Sequence, residues 1–190
     1  MLILFLHYNE QNLQATFNMN NQTLLAFIII SLIFTSACGQ KELSIEPKKL
    51  DWKQRVIKVN EDSSLLSGSS YLSVYSAVYL HSESDFKELS STVSIRNINK
   101  QDTIYINKIE YFNTQGQLVK SFLENSIYIA PMETVEIVIE LSDTEGGTGA
   151  NFVFDWSIKP DSNEPLFEAV MISAVGNKGF GFVTHGKKIN

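Results

Sequence analysis

The chain has 190 residues, enough for one domain and short of two, and 44% of them are hydrophobic, which suffices for a sizeable core. Its formal net charge of −6, from 21 acidic against 15 basic residues, argues against a nucleic-acid backbone as partner and against electrostatic docking on anionic lipid. The only cysteine, Cys38, excludes an intrachain disulfide.

The first informative stretch is Leu24–Phe34, an apolar run interrupted only by Ser31. It is shorter than the roughly 20 residues a helix needs to cross a bilayer. The length suits the apolar region of a secretory signal, and the small residues Thr35, Ser36 and Ala37 follow it directly. Cys38 then stands where a bacterial lipoprotein signal, which this arrangement resembles, carries its lipidated cysteine. Thr35 replaces the usual aliphatic residue and no Lys or Arg precedes Lys41; the first eighteen residues are odd ahead of a signal, so the start is expected at Met19. Residues 1–37 are therefore expected to be a signal peptide, and acylation of Cys38 would anchor the chain to the membrane without spanning it.

Residues 38–64 are polar and charged and read as a tether, with Trp52, Val56, Ile57 and Val59 as a small apolar satellite. Leu65–Ser70 has turn composition, and residues 65–190 form the expected domain. Tyr71–Leu80 alternates with apolar residues on both faces, which predicts one strand covered on both sides. Leu89–Asn97 predicts a half-exposed strand. Thr103–Phe112 and Gln117–Leu123, joined by Asn113–Gly116, predict a hairpin. Ser126–Ile129 is a short strand, and Glu133–Leu141 alternates with Val135, Ile137, Ile139 and Leu141 inward.

Ser142–Trp156 (SDTEGGTGANFVFDW) is the most distinctive stretch, reading as loop then strand. Ser142 and Asp143 favour a turn, and Gly146, Gly147 and Gly149 permit dihedrals with φ > 0. From Ala150, Phe152, Phe154, Trp156 and Ile158 share one face. After a connection through Lys159–Pro165, Leu166–Ala174 and Gly179–Thr184 close the chain as two strands. About nine short strands without helical periodicity predict an all-β fold, an antiparallel β-sandwich of immunoglobulin-like type.

Four segments together carry a family resemblance: Ser73–His81 (SVYSAVYLH), Ser91–Asn97 (STVSIRN), Gly146–Trp156 and Glu164–Gly186. The sequence resembles the uncharacterised bacterial family catalogued as domain of unknown function 3124, over Leu65 to Gly186. The resemblance implies membership and brings no activity, cofactor or catalytic residue with it.

Candidate chemistry centres on the glycine-rich loop. Asp143 and Glu145 with backbone carbonyls offer oxygens to a cation, although the spacing is not that of a calcium loop. Backbone N–H groups of Gly146, Gly147 and Gly149 suit an anion, but no Gly-Lys-Ser/Thr follows and a strand comes next, against a phosphate loop. Asn151 completes the candidate contact set. The simpler reading is a conformationally demanding turn.

His81 and His185 lie at strand ends, no G-x-S-x-G occurs, and nothing places the two histidines together with Glu168 as a zinc site. Asp161, Glu164 and Glu168 read as solvated. Tyr71, Tyr75 and Tyr79 form a stripe expected to be buried rather than to stack on a ligand. No cofactor is expected. The leading expectation is a non-enzymatic, lipid-anchored envelope protein, on the periplasmic or outer-membrane face, that binds a protein or glycan partner. The alternative is an envelope hydrolase or metal-dependent enzyme with its site near the glycine-rich loop.

Overall fold

The computed structural model describes residues 51–58, 64–175 and 178–190; the expected signal peptide, Cys38 and most of the expected tether lie outside the described residues. The described chain is all-β, built from antiparallel strands in three sheets.

Alternation explains the long strands. In β9 (Asn151–Ile158), Phe152, Phe154, Trp156 and Ile158 are all buried. In β8 (Thr134–Ile139), Val135, Ile137 and Ile139 point inward between exposed neighbours. The largest sheet runs β12 (Lys187–Lys188), β1 (Leu66–Ser73), β9, β5 (Ile104–Phe112) and β6 (Leu118–Ser121), and β7 (Ile127–Ile129) also pairs with β5. The second sheet runs β11 (Lys178–His185), β10 (Leu166–Val175), β4 (Ser90–Arg96) and β8. A separate hairpin joins β2 (Ala77–Ser82) to β3 (Asp85–Glu88).

The two larger sheets share one core. Phe154 of β9 stacks on Phe167 of β10 with ring centroids 4.3 Å apart, and on Phe152 at 5.6 Å. Such pairs add to the burial of the rings themselves. The buried Trp156 indole donates to Ser70 Oγ at 3.0 Å, so its one polar atom is satisfied.

Twelve strands are present among the described residues, against the nine expected from alternation. Tyr71–Leu80 is not one strand. β1 ends at Ser73 because Val74 N–H donates to Ala150 O and Ser76 N–H to Gly147 O, which turns the chain out of the sheet into β2. Leu65–Ser70 is largely strand rather than turn. Its serines bond across to β9, Ser67 to Ser157 and Ser69 to Asp155. Small hydroxyl residues there serve cross-strand pairing instead of chain reversal. β3 and β12 carry too few apolar residues to show any period.

The segment Trp52–Arg55 forms one 3-10 turn, capped by Asp51, whose side chain accepts from Lys53 N–H. Trp52 packs against the core, Val56 bridges to Ile127, and Arg55 forms a two-point ion pair with Glu133.

Candidate functional site

Strand register divides the sandwiched strands into two poles. Leu66 lies opposite Ile158, Ile104 opposite Ile129, and Arg96 opposite both Leu166 and Thr134, so these ends meet at one pole. The opposite strand ends, Ser73 beside Asn151 and Phe112 beside Asn151, meet at the other. The first described residues enter at the former, because Arg55 is tied to Glu133, just before β8. The glycine-rich loop, the Asn113–Gln117 turn and the start of the β2–β3 hairpin lie at the latter, about 25 Å away by the rise of an eight-residue strand.

At this distal pole, the loop from Glu140 to Ala150 has two halves. Gly146 to Ala150 is fastened down. Gly146 O accepts from Thr114 N–H and Thr114 Oγ1, both at 3.0 Å, and Gly149 N–H donates to Thr114 Oγ1 at 2.9 Å. Gly147 O accepts from Ser76 N–H at 3.0 Å. Two glycines are demanded here. Gly147 has φ +73°, and a Cβ at Gly146 would overlap the Tyr111 hydroxyl.

The other half, Ser142 to Glu145, rims a cleft of about 470 Å³. The remaining walls come from Tyr111 of β5, Val119, Lys120 and Phe122 of the β6 region, and Val138 and Ile139 of β8. The cleft therefore opens between β6 and β8, the edge strands of the two larger sheets. Its volume falls within the usual range for small-molecule sites.

Electrostatics in the cleft are mixed. Lys120 Nζ lies 4.5 Å from the centroid of the Phe122 ring, close enough for a cation–π contact. Asp143 Oδ1 accepts from Glu145 N–H at 3.3 Å, which shapes the rim as an Asx turn. Tyr111, bonded to Ser76 Oγ at 3.0 Å, has its phenol pushed up chiefly by burial. The Ser76 bond opposes that shift, and the negative charges of Asp143 and Glu145 add to it.

Of the residues singled out from the sequence, Asp143 and Glu145 meet at the cleft. Gly146, Gly147 and Gly149 hold the loop and do not line this cleft. Asn151 sits in β9 between Ser73 and Phe112, away from the cleft lining. Of the loop's backbone carbonyls, expected as further cation oxygens, those of Gly146 and Gly147 already accept from Thr114 and Ser76. No group of three or more His, Cys, Asp or Glu residues suited to a metal ion occurs among the described residues.

The other candidates are scattered. His81 pairs with Asp85 at 2.7 Å on the exposed hairpin, while His185 lies 3.5 Å from Glu168, which also receives Arg96 Nε at 2.8 Å. The tyrosine stripe, expected to be buried as a unit, is divided by the break after β1. Tyr75 packs edge-on against Phe182 at 5.7 Å, whereas Tyr71 and Tyr79 are exposed. Tyr111, Lys120 and Phe122 were not legible as site residues. The available signal was the two-residue spacing of Lys120 and Phe122, which puts a cation on the face of an inward-pointing aromatic.

Comparison with known proteins gives a consistent but spare result. A family model described as "Protein of unknown function (DUF3124)" matches residues 67–189. No curated protein matches the chain. A crystal structure of Thermotoga maritima 1070 is similar over 63% of this chain and 92% of that one, at 9% identity and a TM-score of 0.41.

Proposed function

The chain belongs to the DUF3124 family of proteins of unknown function, and from the cleft and the two poles we propose a lipid-anchored envelope module that binds its ligand or partner at the pole facing away from the membrane. Cys38 is the anchor in this reading. The described chain then begins at the entry pole, beside Glu133, and the rim of Ser142–Glu145 stands at the far one. That opposition of entry and cleft is the observation that carries the proposal.

In the same reading, the two larger sheets form an immunoglobulin-like sandwich, whose end loops are the usual place for contact. The Phe154–Phe167 stack between sheets supports it. The role is binding rather than catalysis. The cleft's polar groups are a lysine, two carboxylates, the Tyr111 hydroxyl and the Ser142 and Thr144 side chains, and the one Ser142 contact to a carboxylate, Oγ to Glu140 Oε2, is long at 3.5 Å and exposed.

The test uses the full chain expressed in its native envelope, with a photocrosslinking residue at Thr144 or at Lys100. Crosslinks to a discrete partner or ligand are expected from Thr144 and not from Lys100, which lies at the entry pole. Crosslinking from Lys100 alone would reverse the orientation. Cys38→Ser should release the chain from the membrane fraction or hold it as precursor, and unchanged partitioning would remove the anchor.

A further inference from the structure

Lys120 occupies an unusual place for a charged side chain. It is the register partner of Tyr111, a residue only 1% exposed on the core side of β5, and directly opposed residues share a face. The lysine therefore starts from the inner face of an edge strand and, still exposed, lies over Phe122 at the mouth of the cleft. An inward charge on an edge strand is one device against edge-to-edge aggregation. Here, however, two carboxylates face the same cleft, and the field of Asp143 and Glu145 reaches as far as the Tyr111 hydroxyl.

Among the described residues, Lys120, Asp143 and Glu145 have no ion-pair partner, although seven ion pairs form elsewhere. Opposite charges thus line one cleft without neutralising each other, above a floor of Phe122, Val119 and Ile139. Resting on the reading of this cleft as a binding site, we infer that its ligand is a small zwitterion with an apolar stem. Its anionic group meets Lys120, its ammonium meets Asp143 and Glu145, and its stem lies on Phe122. Charge-assisted hydrogen bonds at both ends fix the ligand's direction in the cleft. A volume of about 470 Å³ admits a ligand of amino-acid or dipeptide size.

Isotope-labelled full-length chain is titrated with L-leucine, leucinamide, N-acetyl-leucine and N-acetyl-leucinamide, following the backbone resonances of Lys120, Phe122 and Ser142–Glu145. O-phosphoethanolamine, the same charge pair as in a lipid headgroup, forms a separate arm. Leucine is expected to bind best, with each single cap weakening binding about tenfold, the size of one lost charge-assisted contact. Lys120→Met should abolish the preference for leucine over leucinamide, and Asp143→Asn with Glu145→Gln the preference over N-acetyl-leucine. Tighter binding of O-phosphoethanolamine, which carries both charges without an apolar stem, would overturn the stem contact and assign the source as a headgroup. Equal response to the doubly capped analogue would overturn the zwitterion and leave an apolar ligand site standing. Silence of the cleft toward every probe would overturn it too, and crosslinking from Thr144 would then decide separately whether this pole binds anything.

Discussion

The two poles of the molecule use polar residues in opposite ways. At the entry pole, buried Asn97 donates to Asp102 O at 2.8 Å and Ile129 O at 3.0 Å, while its Oδ1 accepts from both nitrogens of Asn99. Asn99 passes the pattern on, donating to Asn163 O and accepting from Asn163 N and Nδ2. Arg55–Glu133 and Lys159–Asp102 close the same end with charge. These asparagines and ion pairs have found partners within the chain, while Ser162 Oγ nearby is buried without one. At the distal pole, Lys120, Asp143 and Glu145 stand around a cleft without pairing. A plug and a socket are thus built on the same strands, one closed within the chain and the other, in the proposed reading, open for contact.

The largest expected effect breaks the plug. Asn97→Ala would leave Asp102 O, Ile129 O and Asn99 N–H without their partner in a buried site. At about 1 to 3 kcal/mol for each unsatisfied group, partly recovered by relaxation, the loss should be about 3 kcal/mol in denaturant unfolding. A loss under about 0.5 kcal/mol would mean that the network is decorative and the contrast between poles is wrong.

Next comes the hinge on which the distal contrast depends. Gly147 at φ +73° should not tolerate a β-branched residue, and Gly147→Val is expected to cost about 2 kcal/mol through strain and displacement of Thr114. The same variant should also perturb Lys120 and Phe122 resonances, because the rim follows the fastened half of the loop. An unchanged melting temperature would show that the loop is not held as described.

Legibility in the sequence follows this division. The core strands showed themselves because Phe152, Phe154 and Trp156 repeat at period two with nothing to disturb them. The glycine cluster was legible as a turn that needs freedom, although only Gly147 takes a positive φ and Gly146 is required by the close Tyr111 hydroxyl. Family membership was legible from the segments around it. What stayed hidden depends on register. Nothing in QLVKSFL says that Lys120 lies opposite Tyr111, because a bulge between Tyr111 and Phe112 sets that pairing. Nor could the asparagines announce a buried network, since Asn97, Asn99 and Asn163 have the composition of ordinary loops. The break after Ser73 was equally silent. It arises from hydrogen bonds to Gly147 and Ala150, more than seventy residues away.

A smaller effect tests the charged part of the plug. Hydrogen bonding to Arg55 holds the Glu133 carboxyl below its ordinary value, with the Ala130 N–H bond acting in the same direction against burial. A carboxyl depressed in the folded state contributes stability above its unfolded value and loses it as pH falls through the folded one. Stability should therefore decline below about pH 4.5 by about 1 kcal/mol more in the native chain than in Glu133→Gln. Identical acid slopes in the two proteins would place the pair among surface contacts of no consequence.

The smallest effects belong to the socket rim, and their smallness is the point. Asp143→Asn with Glu145→Gln removes two charges that no other side chain uses, so the unfolding free energy should change by less than about 0.5 kcal/mol. Calcium should not shift the melting temperature of either protein, because Gly146 O and Gly147 O are already engaged by Thr114 and Ser76. A calcium-dependent shift lost in the double variant would instead make the rim a cation site and reassign both carboxylates. One change should survive in the double variant. The Tyr111 phenol loses two repulsive charges, so its ionisation should move toward lower pH while burial still holds it above the ordinary phenol value. An ultraviolet titration that shows no such movement would mean that Asp143 and Glu145 face away from the cleft, and the socket would lose its negative wall.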